Sequence, residues 1–277
     1  MPIVKFRLTC LTALAAVVVC SATAQAAFDD FIIRNSGGGN PPVVQPNGIV
    51  PGALEFIIAE GGQKAGWGTD DISGYSIGQI TNVGITRYDD TTRFTNGSGP
   101  AVAPYFNVWV TDGLGNYAVL ANEPSNPSFQ PLFVDNGDGS KSYSLSFADI
   151  ANEPVQVYET PNGGYNATNT WVHNLVGING PLTFANVANL VIQAPSAAYI
   201  ANPVNAVGSG APDEIVTNAA LGFNWIFGDT LANYQSGAPG YVVGNPVAQA
   251  IPEPATLALA GSAALGLFVV RRRRLSV

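Results

Sequence analysis

Residues 105–120 read YFNVWVTDGLGNYAVL. Two arms rich in β-branched and aromatic residues, 105–111 and 117–121, flank the run Asp112-Gly113-Leu114-Gly115-Asn116. Glycine, Asp and Asn are the residues a tight chain reversal needs, so the stretch predicts a β-hairpin. The pattern recurs at 132–147. There, residues 132–134 and 142–147 flank Asp135-Asn136-Gly137-Asp138-Gly139. The second arm, SYSLSF, alternates with the two-residue period of a strand that buries one face. A chain that reverses so often is confined to antiparallel sheet.

Other segments fit the same plan. Strands are predicted at 28–33, 53–59, 155–159, 170–173, 188–193, 214–217, 222–227 and 241–243, and as two short pieces within 75–88, which Gly78 and Gly84 interrupt. Residues 35–52 read as a Gly/Pro/Asn-rich linker or long loop, and 182–190 could form a helical turn or two. No ten-residue amphipathic helix is visible between residues 27 and 250, so the crossover helices of an α/β fold are missing. Echoes such as FADIAN at 147–152 and FANVAN at 184–189 do not extend into a repeat period. The expected fold class is all-β, a β-sandwich with the jelly roll as one arrangement. Both cysteines, Cys10 and Cys20, precede this body. It therefore folds without disulfides, zinc–thiolate sites or a cysteine nucleophile.

The two ends are of a different kind. Residues 1–26 have the build of a secretory signal peptide: Lys5 and Arg7, an apolar run over 8–20, and Ala24-Gln25-Ala26 as a small-x-small cleavage site. Ala22-Thr23-Ala24 offers a second cut. At the other end, Pro252-Glu253-Pro254 is a rigid extended strip, because each proline fixes its own φ and restricts its predecessor. An uncharged run, 255–270 (ATLALAGSAALGLFVV), comes next, and then Arg271, Arg272, Arg273 and Arg274. A helix over that run is short for a bilayer, but it can span with local thinning and arginine snorkelling. The arginines place the C-terminus on the cytoplasmic side and the body outside.

This tail resembles the PEP-CTERM sorting signal of bacterial surface proteins over residues 251–274, in motif, order and spacing. The resemblance implies recognition by an exosortase, a membrane-embedded cysteine protease-transpeptidase, with cleavage near Pro252, Glu253 and Pro254. It also implies delivery to the cell surface or extracellular matrix. It carries nothing over to the body. The expected organisation is a signal peptide at 1–26, a body at 27–247 (with 27–52 as strand plus linker) and a sorting segment at 248–277.

The tail also disguises the charge of the body. Of eleven basic residues only Arg34, Lys64, Arg87, Arg93 and Lys141 fall within 27–250, against eighteen of the nineteen acids, leaving −13 where the whole chain has −8. So acidic a body argues against nucleic acid or anionic lipid as a partner. It suits a hydrated polysaccharide layer or calcium.

Candidate sites in the body are weaker. Gly74-Tyr75-Ser76-Ile77-Gly78 matches a nucleophile elbow, but the residues after Ser76 are β-branched and strand-like, and His173 is the sole histidine. We read Ser76 as a strand residue and His173 as structural. Asp135, Asn136 and Asp138 present oxygens on a glycine-bent loop that could hold calcium, although the spaced acids of an EF-hand are missing and a plain turn explains them as well. Glu55, Glu60, Glu123, Glu153, Glu159 and Glu214 supply carboxylates but no glycosidase motif. Trp67, in Gly66-Trp67-Gly68, is expected on an exposed loop where it could stack on a sugar. The function expected is structural or adhesive, without catalysis and with no required cofactor. A carbohydrate-binding jelly roll and a secreted glycan hydrolase are the alternatives.

Overall fold

The structure, a computed structural model, describes residues 27–35, 39–88, 104–122, 129–159, 170–200, 220–228 and 239–251. The strands are β1 (Asp29–Arg34), β2 (Val43–Pro46), β3 (Leu54–Ile57), β4 (Lys64–Thr69), β5 (Ile80–Arg87), β6 (Tyr105–Thr111) and β7 (Tyr117–Ala121). They continue with β8 (Val134–Asp135), β9 (Lys141–Leu145), β10 (Pro154–Glu159), β11 (Leu182–Thr183), β12 (Val191–Ile192), β13 (Phe223–Phe227) and β14 (Tyr241–Ala250). Among the described residues three short α-helices, α1 (Phe147–Ile150), α2 (Trp171–Val176) and α3 (Ala197–Ile200), lie between strands. Among the described residues no helix is long and apolar enough to cross a membrane.

The strands form two sheets. One runs β1-β4-β13-β6-β7-β10-β11, with β12 also paired to β6; the other runs β2-β3-β14-β5-β9-β8. Every strand pairing is antiparallel. The expected all-β sandwich is what forms. Consecutive strands change sheet at β1/β2, β3/β4, β4/β5, β5/β6, β7/β8, β9/β10 and β13/β14. The last two strands are inserted between early ones, β13 between β4 and β6 and β14 between β3 and β5. Both expected hairpins form: β6 pairs with β7, and β8 with β9.

The core lies between the sheets and is aromatic. Phe56 of β3 stacks on Phe227 of β13, ring centroids 3.9 Å apart and planes 15° from parallel. Tyr143 of β9 lies parallel to Trp225 at 5.9 Å. Phe106, Val108 and Val110 of β6 join the same cluster. Burying a side chain of this size contributes roughly 1.5–3 kcal/mol. The first sheet is apolar on its other face too: Trp109 and Val119 pack with Ile200, and Phe31 and Ile33 with Tyr105 and Ile226. That is why β6 and β13 are mostly apolar on both faces, broken only by Asn107, Thr111 and Asn224; all their residues are buried.

The structure corrects several local expectations. Residues 170–173 are not a strand: Thr170 caps α2, its hydroxyl accepting from His173 N–H at 3.2 Å, and Gly177 ends the helix in the left-handed conformation. Residues 75–88 form one 3₁₀ turn, Ile77–Gln79, and then the single strand β5, which continues through Gly84. The 35–52 linker contains β2, paired along its length with β3. Residues 182–190 form β11 and then a run of turns. β14 continues past the expected strand at 241–243 to Ala250. The expected strand at 214–217 lies outside the described residues.

Candidate functional site

The feature the sequence points to most firmly is the C-terminal junction, and β14 builds it. Its first residues are held on both sides: Tyr241, Val242 and Val243 pair with Phe56, Glu55 and Leu54 of β3, and Val243 also pairs with Arg87 of β5. At Asn245 the backbone turns left-handed, φ 50°, and one extra residue enters the strand between Gly244 and Val247. This is a β-bulge, with Pro246 inside it. Beyond the bulge the strand pairs with β5 alone among the described residues: Val247 with Gly84, Ala248 with Val83, Gln249 with Asn82 and Ala250 with Ile80. Ile251 N–H donates to the Gln79 carbonyl at 3.1 Å. Ala248 is buried, Gln249 and Ile251 are exposed. Pro252, Glu253, Pro254, the apolar run 255–270 and Arg271, Arg272, Arg273 and Arg274 lie outside the described residues, as do Ala24 and Ala26.

The N-terminal end of the body is seated as well. Ala27 N–H donates to Asp71 Oδ2 at 3.2 Å. Phe28 sets its ring edge-on to Trp67 at 6.0 Å, and its carbonyl accepts from Trp67 Nε1 at 3.4 Å.

Trp67 is therefore not on an exposed loop. It sits in β4, is only 7% exposed, and packs against Phe28 and Phe56. The flanking glycines serve packing rather than a turn: a β-carbon on Gly66 would lie 2.6 Å from the Phe31 ring. Trp109 and Trp225 are fully buried and Trp171 is half-buried. Among the described residues the exposed large hydrophobics, such as Ile49, Leu114 and Val134, are all aliphatic.

The Asp135–Asp138 loop is the β8–β9 hairpin turn. Asp135 Oδ1 accepts from Gly137 N–H at 2.8 Å, and Asp138 Oδ1 accepts from Ser140 N–H at 2.9 Å and from its hydroxyl at 2.6 Å. Asn136 Nδ2 donates to the Ser140 and Ser142 hydroxyls. Hydrogen bonds from the Ser140 hydroxyl and N–H hold the Asp138 carboxyl below the usual carboxylate range. One oxygen of each acid thus supports the turn itself. Among the described residues no group of three or more His, Cys, Asp or Glu side chains converges to hold a metal ion.

Ser76 precedes the 3₁₀ turn, its N–H donating to Gln79 Oε1 at 2.7 Å. It lies at neither a strand-to-helix elbow nor the middle of a strand. The imidazole of His173 is committed on both sides, Nδ1 to the Thr170 hydroxyl at 2.8 Å and Nε2 to the Gly180 carbonyl at 3.1 Å. It ties the start of α2 to the loop after it. Glu55 is engaged twice, accepting from Gly240 N–H at 2.7 Å and from Gln45 Nε2 at 3.0 Å. Glu60 accepts from Asn40 Nδ2 at 2.8 Å. Glu123 and Glu214 lie outside the described residues.

One polar cluster went unnoticed in the sequence. Arg87 is fully buried between the sheets, its guanidinium 5.0 Å from the centre of the Tyr241 ring. Burial pushes the nearby Tyr143 phenol far above its ordinary range, opposed by the charge of Arg87. The signal was present: Val83, Ile85 and Arg87 alternate along β5, so a strand of period two carries the arginine inward with the two aliphatic residues.

No curated protein and no solved structure matches the chain. No family other than one is matched by the body or its ends. Residues 250–274 match the PEP-CTERM protein-sorting motif, so this β-sandwich carries, directly after its last strand, the signal that its tail was read to resemble.

Proposed function

We propose that the chain is an exported structural or adhesive protein of the cell surface or extracellular matrix. A signal peptide ending at Ala26 delivers it, and an exosortase cleaves it near Pro252-Glu253-Pro254. The observation that carries this reading is the sorting motif at 250–274. In the precursor, residues 255–270 hold the chain in the membrane, with Arg271, Arg272, Arg273 and Arg274 on the cytoplasmic side. The hydrogen bond from Ala27 to Asp71 supports a cut after Ala26, since the first residue left on the mature chain already has a place in the fold.

The body acts without catalysis. Its strand order, β3-β14-β5-β9 facing β4-β13-β6-β7, supports a jelly-roll reading of the sandwich. The engaged His173, Glu55 and Glu60 favour a structural role over hydrolysis. A body of charge −13 would stay dispersed within a hydrated extracellular polysaccharide. The burial of Trp67 removes the residue on which sugar stacking was expected to rest.

Intact-mass measurement of the protein released from the surface of the producing cell tests the reading. The expected mass begins at Ala27 and ends near residues 252–254. A surface form that still carries Arg271–Arg274 would overturn it.

A further inference from the structure

We infer that the end of β14 is a gate on processing: residues Gln249, Ala250 and Ile251 must leave β5, and the 3₁₀ turn that precedes it, before the sorting enzyme can cut. The inference rests on the sorting reading above and concerns how the folded body controls that reaction.

Three observations converge on it. The sorting motif has no spacer in front of it. Ile251 N–H is bonded to the Gln79 carbonyl at 3.1 Å, and Pro252 is the next residue. A peptide bound for cleavage lies extended in its enzyme, with main-chain groups on both sides of the scissile bond engaged. A cut near 252–254 puts Ala250 and Ile251 on the amino side of that bond, yet Ala250 is paired with Ile80 of β5 and Ile251 is bonded to Gln79, the last residue of the 3₁₀ turn before it. One N–H cannot serve Gln79 and an enzyme at once.

The strand is also built to part at this point and no earlier. From Tyr241 to Val243 it is held on both edges and buried. Past the bulge at Asn245 it keeps one partner strand among the described residues, and a second register irregularity separates Gln249 from Ala250. Side-chain burial falls toward the end: Ala248 is buried opposite Val83, Ala250 is half-buried against the edge of the core, and Gln249 and Ile251 are exposed. Opening as far as Gln249 breaks a few backbone bonds and the marginal contact of Ala250 with the core, and leaves Ala248 as the stop. Such low-cost local opening is the ordinary behaviour of a strand end. Cleavage then breaks one peptide bond. The acyl half stays on the body and passes to water or an acceptor amine, and the amine half leaves with the tail and takes up the proton.

The absence of cysteine from the mature chain gives a clean test. Asn82 and Gln249 are direct partners across β5 and β14, at a spacing that antiparallel neighbours share with disulfides. The full-length precursor is followed by pulse-chase in its own producing cell in four forms: unaltered, Asn82→Cys with Gln249→Cys, a six-residue Gly/Ser insertion between Ile251 and Pro252, and both changes together. The oxidised staple should slow conversion by about tenfold or more, the factor set by one or two backbone bonds that can no longer open. Reductant should restore the rate, and the single-cysteine variants should behave as the unaltered chain. The insertion should convert at least as fast as the unaltered chain and should cancel the effect of the staple. Conversion of the stapled form at the unaltered rate overturns the gate, and so does a stapled form that the insertion fails to rescue. If no form is converted, the insertion included, the sorting reading itself fails and the gate with it.

Discussion

Asn224 of β13 is the direct neighbour of Gly68 in β4, and its amide oxygen occupies the place where a β-carbon on Gly68 would stand. The Phe223 carbonyl lies 2.8 Å from the same point. An asparagine buried in the middle of a sheet, donating to the Leu221 carbonyl at 2.7 Å, is thus accommodated by the missing side chain opposite. Gly68→Ala must displace both a buried amide and a backbone carbonyl, and should cost about 1–3 kcal/mol, as overpacked cores do. Gly48→Ala, at a site with nothing within 4 Å and no left-handed backbone, should be neutral or slightly stabilising. Urea unfolding of the two variants separates these outcomes.

Thr170 performs two tasks with one hydroxyl, capping α2 and meeting Nδ1 of His173. Thr170→Val keeps the shape and removes both. It should lose about 0.5–2 kcal/mol, the range for a lost N-cap. His173→Phe should also destabilise, since it removes the imidazole's bonds to the Thr170 hydroxyl and the Gly180 carbonyl while leaving the cap on the residue 173 N–H in place. Thermal melts at pH 7 measure both.

Asp138 and Asp149 are held below the ordinary carboxylate range, in each case first by a serine side chain and then by the N–H of that serine. Asp149 accepts from the Ser146 hydroxyl at 2.6 Å and N–H at 2.7 Å, at the start of α1. A carboxyl whose folded pKa is depressed stabilises above its unfolded value, near pH 4, and that contribution is lost as pH falls through the folded value. The gap in melting temperature between the unaltered chain and Asp138→Asn or Asp149→Asn should therefore be constant from pH 5 to 7 and close below about pH 4. A gap that persists at pH 2 would contradict this origin.

Tyr143 gives the opposite sign. Burial raises its phenol, so its contribution is complete below the unfolded value near pH 10 and declines as pH rises beyond that. Tyr143→Phe should reduce the loss of stability between pH 9 and 11, read by alkaline melts against the unaltered protein.

A cut after Ala26 would turn the Ala27 N–H that meets Asp71 into an ammonium group, and a hydrogen bond into an exposed ion pair. Pairs of this kind contribute about 0.2–1 kcal/mol. Asp71→Asn should cost that much in protein purified from the cell surface and less in protein made with an extra residue before Ala27. The difference should shrink at high salt.

The parts of the fold that could be read in advance are those governed by neighbours in sequence. The 105–121 hairpin was legible because Asp112 makes its own turn, accepting from Leu114 and Asn116 within the same five residues. The sorting tail was legible for a similar reason, being a short linear pattern. Trp67 misled because glycines on either side signal a loop, whereas here they make room for Phe31 and Asn224 from other strands. β14 was read too short because Gly244-Asn245-Pro246 resembles a stop. Only the pairing with β5 shows it to be a bulge in a strand that continues. At 170–176 the β-branched and aromatic content outweighed a Thr cap and a terminal Gly177 that were there to be used.

The placement of the last two strands sets the order of events in the life of the chain. Among the described residues β13 and β14 are the last strands made, yet each is the central plank between two strands made long before. Until β13 has emerged β4 has no neighbour toward β6, and until β14 has emerged β3 has none toward β5. The earlier strands must wait as unclosed edges, in a topology dominated by distant partners and therefore slow to form. The ten residues of β14, which complete the second sheet, lead at once into the sorting motif. A chain that breaks off early, or is cut before residue 240, lacks the means to fold and the means to be delivered alike.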